Sequence, residues 1–366
     1  MHKILTIFGT RPEAIKLSPV VKELSKHPHK FKSVVGVTGQ HDELLKQVLN
    51  LFKIKPDFNL MVMQKNQSLT ELTSSILKEI GERISEVEPD IILIQGDTTT
   101  VFATALAAFY QKVKIGHVEA GLRTNDKYQP FPEEMNRCMT DQMSDIFFAP
   151  TETNRLNLLK NGIPDQKIHV TGNTIVDALL DISSRNRFNN DVLHSANGKM
   201  VLVTAHRREN FGKPLENVFQ AIHKLAGMYS DIQFICPVHP NPNVRNTVHG
   251  ILSGIKNVSI IAPLDYLSFV QLMAKAHFIL TDSGGIQEEA PSLKKPLLIL
   301  RNKTERPEVV DAGGAKIVGT SKEMIIHEFT RLIEDDEYYK SMSNIRNPYG
   351  DGTAAKKIVK ILQEYL

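Results

Sequence analysis

Lys3-Ile4-Leu5-Thr6-Ile7-Phe8-Gly9-Thr10-Arg11-Pro12-Glu13-Ala14-Ile15-Lys16-Leu17 is the stretch that decides the fold. A run rich in apolar and β-branched residues passes through a glycine into a segment where Ala14, Leu17, Val20, Val21 and Leu24 recur on one helical face. Pro12 suits an early helical position. Strand, turn and amphipathic helix in that order form the opening unit of a parallel α/β sheet, and the unit then recurs. Further strands are expected at Lys32–Thr38, Asp90–Gln95, Lys114–Val118 and Ile146–Ala149. After Val170-Thr171-Gly172-Asn173 a second series begins, with strands expected at Met200–Thr204, Gln233–Val238, Val258–Ile261, Phe278–Thr281 and Pro296–Leu300. The reading is α/β, with one parallel-sheet domain over residues 1–171 and a second over 172–352. A helical pattern over 353–366 suits either domain. No internal sequence repeat accompanies the shared rhythm.

Composition agrees with two cores. A chain of 366 residues exceeds the size at which one hydrophobic core stops growing. Hydrophobic residues at 41% and charged residues at 23% are ordinary for globular chains. The net charge of +3 spreads no broad field for nucleic acid, and no dense Lys/Arg stripe stands out. Cys138 and Cys236 have no CxxC spacing and read as reduced thiols packed in the cores of a cytoplasmic protein. The opening apolar run is too short for a secretion signal, and no run approaches a membrane span. Neither nucleic acid nor membrane is an expected partner.

Several segments carry candidate chemistry, each with a plainer structural reading beside it. Gly9-Thr10-Arg11 lies where backbone N–H groups and a helix dipole favour an anion, and Arg11 and Lys16 tilt that turn towards phosphate. Asp282-Ser283-Gly284-Gly285 repeats the logic after Phe278–Thr281, and reads as a diphosphate seat. Glu288 and Glu289 follow; a carboxylate there suits ribose hydroxyls or simply complements a helix dipole. Asp97, Glu119 and Glu133 lie at or beyond strand ends, where α/β sheets bind ligands. Asp97 also suits a helix cap, and Glu133 a first helical turn. Glu119 precedes Ala-Gly-Leu-Arg rather than a helix, and is the least easily explained by structure alone.

His117, His206 and His239 have no metal-ligand spacing, so no metal is expected. His206-Arg207-Arg208-Glu209-Asn210 is a cationic cluster suited to phosphate, or a solvated turn. Arg306, in Thr304-Glu305-Arg306-Pro307, belongs near Ser283 if the sheet is doubly wound. Gly350-Asp351-Gly352-Thr353-Ala354-Ala355 matches a dinucleotide fingerprint by letters only, since Asn347-Pro348 precedes it instead of a strand.

Taken in series, GTRPEAIK, QGDTTT, HVEAGLRT, PFPEEMNR, TGNT, HRREN, PVHPNP, TDSGGIQEEAPSL and TERPE resemble the non-hydrolysing UDP-N-acetylglucosamine 2-epimerases in order and spacing, from the first strand to NPYGDGTAA. The resemblance implies two Rossmann-like domains in a glycosyltransferase-B-like arrangement, with the active site in the interdomain cleft and the 353–366 helix joined to the first domain. It assigns Arg11, His206, Ser283, Gly284, Gly285 and Arg306 to the UDP pocket and Glu289 to the ribose. Lys16, Asp97, Glu119, Glu133 and Arg137 fall on the sugar side.

The implied reaction is anti elimination of UDP across C1–C2, giving 2-acetamidoglucal, then re-addition with the C2 proton delivered to the opposite face. It needs no cofactor. Asp97, Glu119 and Glu133, with His206, are the candidate catalytic groups. Some family members bind a second UDP-N-acetylglucosamine as activator, and Gln40, Arg207 and His239 match that pattern. Glu43 and Asn66 depart from it, and Lys294 stands where a glycine is expected. A homodimer and supply of cell-surface polysaccharide precursors are further implications. A hydrolysing 2-epimerase, a glycosyltransferase using the same UDP-sugar site, and a nucleotide-sugar sensor are the competing readings.

Overall fold

The computed structural model describes residues 1–39, 43–62, 67–185 and 198–366. Two compact units emerge: Met1–Ala178 with Tyr349–Leu366, and Leu179–Pro348. Each is a parallel sheet flanked by helices.

In the first unit, seven strands run in the order β3-β2-β1-β4-β5-β6-β7. They span His2–Phe8, Phe31–Val37, Phe58–Asn59, Ile91–Gln95, Lys114–Val118, Ile146–Ala149 and Ile168–Val170 for β1 to β7. β1 pairs in parallel with both β2 and β4, so the strand order reverses between β1 and β4. That reversal matters because loops leaving β1 and β4 diverge there and open a crevice at the strands' carboxyl ends. All five residues of β4 are buried, as expected for a strand covered on both faces. Ile76, Ile80 and Ile84 of the helix Leu69–Val87 pack with Val101 and Ala105 of the helix Thr99–Tyr110 onto Ile92 and Ile94.

The first helix, Arg11–Ser25, starts with a capping box: Glu13 N donates to Thr10 Oγ1 at 3.5 Å, and the Glu13 carboxylate accepts from Thr10 N at 2.6 Å and Gly9 N at 3.1 Å. Gly9 is required for space, since a side chain there would collide with the hydroxyls of Thr38 and Thr100. The helix Ala354–Tyr365 packs on Arg11–Ser25 through Ile358, Val359 and Leu362. Its first amides, Ala354 N and Ala355 N, are capped from afar by Asp177 at 3.2 and 2.9 Å.

The second unit repeats the plan with six strands, β10-β9-β8-β11-β12-β13. These are Met200–Thr204, Gln233–Pro237, Val258–Ile261, Phe278–Thr281, Leu297–Ile299 and Ala315–Ile317 for β8 to β13. Here the order reverses between β8 and β11. Phe234 of β9 stacks on Phe329 at 5.5 Å and Phe278 of β11 meets the same ring edge-on at 5.0 Å. Truncating such a fully buried phenylalanine costs about 3–5 kcal/mol, so Phe329 ties the helix Lys322–Glu334 to the sheet.

Cys236 lies in this core, and burial pushes its thiol up to about 12. Cys138 is only partly buried, against the expectation of core packing, because it sits on the helix Glu133–Met143 at a half-exposed position. Among the described residues, no helix is long and apolar enough to cross a membrane.

Candidate active site

The first unit gathers its candidate side chains where β1, β4 and β5 end. Lys16, from the second turn of the first helix, reaches Glu119 just beyond β5, with Nζ 2.5 Å from Oε1 and both side chains at most 12% exposed. Asn173 Nδ2 donates to the same oxygen at 3.0 Å, and Gln95 Nε2 at the end of β4 donates to Oε2. Glu119 itself has φ +64°, a left-handed conformation that costs a non-glycine residue about 1 kcal/mol or more and is most often retained at functional sites. Lys16 therefore serves a carboxylate, whereas its place in the sequence tilts towards phosphate.

Asp97 follows β4 through Gly96. Its carboxylate accepts from Arg137 Nη2 at 2.5 Å, while its carbonyl accepts from Asn136 Nδ2 at 3.0 Å. The cap of the next helix is Thr98, whose hydroxyl accepts from Val101 N, so the Asp97 side chain is not used for capping. Arg137 is buried and bonds Glu134 as well, at 3.1 Å. Glu134 in turn accepts from Thr124 N and Asn125 N. The side chain of its neighbour Glu133, in the first helical turn, makes no hydrogen bond or ion pair among the described residues. Of this adjacent pair, Glu134 ties Arg137 to the Thr124-Asn125 turn.

The Gly9-Thr10-Arg11 turn differs from its expected role. The amides of Gly9 and Thr10 are taken by Glu13 in the capping box, so they are not open to an anion. Arg11 is half-buried and supplies the positive charge of that turn.

His117 is no metal ligand. It is fully buried on β5, with Nδ1 2.7 Å from Asp141 Oδ1 and Nε2 2.8 Å from the Gly96 carbonyl. Arg123 Nη2 donates to the other Asp141 oxygen at 2.6 Å. Burial pushes the Asp141 carboxyl up, yet His117 and Arg123 together hold it below its ordinary range. Among the described residues no group of three or more His, Cys, Asp or Glu side chains is suited to a metal ion.

The second unit's site lies at its own strand reversal. His206 and Arg207 leave β8, and Asp282-Ser283-Gly284 leaves β11. Buried Asp282 spans the two strand ends: Oδ2 accepts from His206 N and Arg207 N, both at 2.8 Å, and from Asn210 Nδ2 at 3.2 Å. His239 stacks on His206 at 5.5 Å and 11°. Burial lowers the His206 pKa, Asp282 opposes that, and His239 and Arg207 lower it further, for a net decrease.

Arg306 lies over Gly284, where an added Cβ would come within 2.8 Å of its guanidinium. Its Nε donates to Glu288 at 2.7 Å and its Nη1 pairs with Glu305 at 2.8 Å. Glu305 also pairs with Arg301 at 2.6 Å and Arg207 at 3.5 Å. Burial would raise the Glu305 carboxyl, but Arg306, Arg301 and Arg207 pull it down to about 2. Glu289 accepts from Tyr266 Oη at 2.8 Å, with both residues buried. Ser283 begins the short helix Gly284–Glu289 without capping it, and nothing lies within 4 Å of an added Cβ at Gly285.

Thus the first unit brings together Lys16, Asp97, Glu119 and Arg137, and the second brings together Arg207, His206, His239, Ser283, Gly284 and Arg306. Gln40 and Asn66 lie outside the described residues, while Glu43 opens the helix Glu43–Phe52. Lys294 adopts φ +56° at a turn, which explains the preference for glycine there. Sequence reasoning missed Gln95, Asn173, Asp141 and Tyr266 as partners of the candidate groups. Gln95, inside the QGDTTT string, and Asn173, inside TGNT, carried a signal.

Two doubly wound parallel sheets, each with polar and charged side chains gathered at its strand reversal, define the class: paired Rossmann-like domains of the glycosyltransferase-B-like fold. Residues 22–363 match the family model for UDP-N-acetylglucosamine 2-epimerase. The chain is 50% identical, over 99% of both lengths, to the UDP-N-acetylglucosamine 2-epimerase of Salmonella typhimurium. It is similar to the crystal structure of UDP-GlcNAc 2-epimerase from Neisseria meningitidis bound to UDP-GlcNAc, with TM-score 0.90 and 50% identity over 99% of this chain and 100% of that one. It is also similar to the Methanocaldococcus jannaschii UDP-GlcNAc 2-epimerase in complex with UDP-GlcNAc and UDP, with TM-score 0.84 and 38% identity over 99% of each. The chain belongs to the UDP-N-acetylglucosamine 2-epimerase family.

Proposed function

We propose that this chain interconverts UDP-N-acetylglucosamine and UDP-N-acetylmannosamine without net hydrolysis. The C1–O bond breaks and its electron pair leaves with UDP, the C2 proton passes to a protein base, and C1=C2 forms as 2-acetamidoglucal. UDP then returns to C1 while a proton is delivered to the other face of C2. Because C2–H is weakly acidic, C–O cleavage leads or accompanies proton loss, and fixed cations must stabilise the departing diphosphate.

The observation that carries this reading is Glu119, a carboxylate in a left-handed turn, held by Lys16, Asn173 and Gln95 beside the end of β4 that bears Asp97. A charged acid fixed by donors and largely shielded from water is suited to proton transfer. Asp97, Glu119 and Glu133 are the proposed acid/base set, with Lys16 and Arg137 on the sugar. Arg11, His206, Arg306 and the Ser283-Gly284-Gly285 turn are proposed to hold UDP, and Glu289 its ribose. The UDP-GlcNAc bound in the Neisseria meningitidis relative supports this substrate.

A homodimer is proposed from exposed Leu69, Phe109, Tyr110, Met135 and Met139, which lie on three helices packed side by side. Arg207 and His239, with Gln40, are proposed to serve an activating second UDP-N-acetylglucosamine. A cytoplasmic place and a supply of cell-surface polysaccharide precursors complete the proposal. The test is incubation with UDP-N-acetylglucosamine in deuterated water, followed by proton NMR. Deuterium at C2 with UDP-N-acetylmannosamine appearing supports the proposal. Accumulation of free UDP and free sugar would assign the hydrolysing reaction, and acceptor-dependent sugar transfer without epimerisation a glycosyltransferase.

A further inference from the structure

Asp282 is fully buried and its two oxygens are used unequally. Oδ2 is saturated by His206 N, Arg207 N and Asn210 Nδ2, which pins the chain leaving β8 to the chain leaving β11. Oδ1 is buried with no hydrogen-bond partner and faces His206 Nδ1 at 3.6 Å. A buried carboxylate oxygen left bare is costly, so the group it faces must be one that can supply a proton or a charge. His206 is that group, and its side chain remains 38% exposed.

The neighbouring ring sharpens the assignment. His239 Nδ1 accepts from Asn241 N at 3.2 Å, which fixes that ring where it stacks on His206. Of the two stacked imidazoles, His206 is the one that faces a buried carboxylate, and Asp282 favours its charged form against burial, His239 and Arg207. Arg207, adjacent in sequence, and Glu305, which pairs with Arg207 and Arg306, are the other charged groups of this cluster.

We propose that Asp282 is a positioning residue that holds His206 with its proton on Nδ1 and stabilises its imidazolium form, leaving Nε2 to meet the departing diphosphate. The proposal rests on the placing of His206 in the UDP pocket. Asp282 makes no contact with substrate in this scheme and acts wholly through the histidine. The logic is that of a buried aspartate behind a catalytic histidine, where an Asp-to-Asn change preserves shape but selects the wrong tautomer, with losses of up to about 10⁴-fold.

The experiment is Asp282→Asn, His206→Asn and the double variant, each followed by kcat against pH, UDP affinity and thermal melting. In Asp282→Asn the new side-chain carbonyl retains the three bonds now made to Oδ2, while the new amide faces His206 Nδ1 and forces that nitrogen to accept. Asp282→Asn is expected to lower kcat by about 100-fold or more and to move the alkaline limb of the kcat profile to lower pH. A merely structural role would leave that limb in place. The double variant is expected to be no slower than His206→Asn alone. Losses that multiply in full, or an unmoved limb, would overturn the proposal. Wild-type kcat in His206→Asn would instead remove the placing of His206 on which it rests. Independently of any variant's folding, nitrogen-15 NMR of the wild-type imidazole is expected to show the neutral ring protonated on Nδ1, and protonation on Nε2 alone would refute the assignment.

Discussion

Replacing Glu119 by glutamine separates the two jobs that the Lys16–Glu119 pair performs. Lys16 Nζ, Asn173 Nδ2 and Gln95 Nε2, which hold the Glu119 carboxylate, are all donors. A carboxamide offers one acceptor oxygen, so at least one donor must face an NH2 group. Leaving a buried donor unsatisfied costs about 1–3 kcal/mol, and uncoupling a buried ion pair adds to that, for a total of roughly 2–4 kcal/mol. In a domain of 150–250 residues each kcal/mol moves the melting temperature by about 2–4 °C, so the loss should be roughly 4–16 °C. Removal of an acid/base group should lower kcat by about 10²–10⁴-fold, with UDP affinity changed by less than about threefold.

The double variant Lys16→Met/Glu119→Gln should regain most of the lost melting temperature, since removing both partners of a buried pair is far milder than removing one. It should remain inactive. Calorimetry, UDP titration and steady-state kinetics on the three chains are sufficient. Recovery of activity along with stability would refute an acid/base role, as would equal losses in UDP binding and turnover.

Three other changes probe separate parts of the molecule. Arg11→Ala should raise the UDP dissociation constant at least about tenfold, in line with loss of a charge-assisted contact to phosphate, and isothermal titration with an unchanged constant would remove Arg11 from the pocket. Gly284→Ala should weaken UDP binding by displacing the Arg306 guanidinium, which lies 2.8 Å from the added Cβ, and a crystal structure or titration showing no change would contradict this. Asp177, pushed up to about 6 by burial despite its bonds to Ala355 N and Ala354 N, holds a proton between about pH 4 and 6 that the unfolded chain has lost. Its contribution to stability is therefore full below about pH 4 and declines as pH rises through about 6. Asp177→Asn should flatten that decline by about 1.4 kcal/mol between about pH 5 and about pH 7.5, measured by denaturant titration at those two pH values; an unchanged slope would show that another group sets it.

The strand-turn-helix rhythm was legible because the central strands are dominated by buried apolar residues and run into glycine turns, as at Phe8-Gly9 and Gln95-Gly96. The strands it left unread, Phe58–Asn59, Ile168–Val170 and Ala315–Ile317, have two or three residues and lie at sheet edges, too short for any periodicity to register. Strand ends also foretold which loops bear Asp97, Glu119, His206 and Ser283. What sequence could not supply was pairing across the fold. Lys16 and Glu119 lie 103 positions apart, and nothing local marks them as partners. The turn at Gly9-Thr10 misleads for the opposite reason: Glu13 reads as ordinary helix composition, whereas its carboxylate occupies the very amides that make such turns anion seats. Likewise His117 resembles loose chemistry in the sequence, and burial between Asp141 and the Gly96 carbonyl makes it part of the frame.

Elimination and return require that the C1–O bond to UDP breaks and reforms on the protein. The direct measurement is positional isotope exchange. UDP-N-acetylglucosamine labelled with heavy oxygen in the bridge between C1 and the β-phosphorus is incubated with the enzyme, and phosphorus NMR follows the label. Scrambling of the label from the bridge into non-bridging β-phosphate positions, in step with formation of UDP-N-acetylmannosamine, is the predicted result. Epimer formed with the label wholly retained in the bridge would contradict elimination and return of UDP.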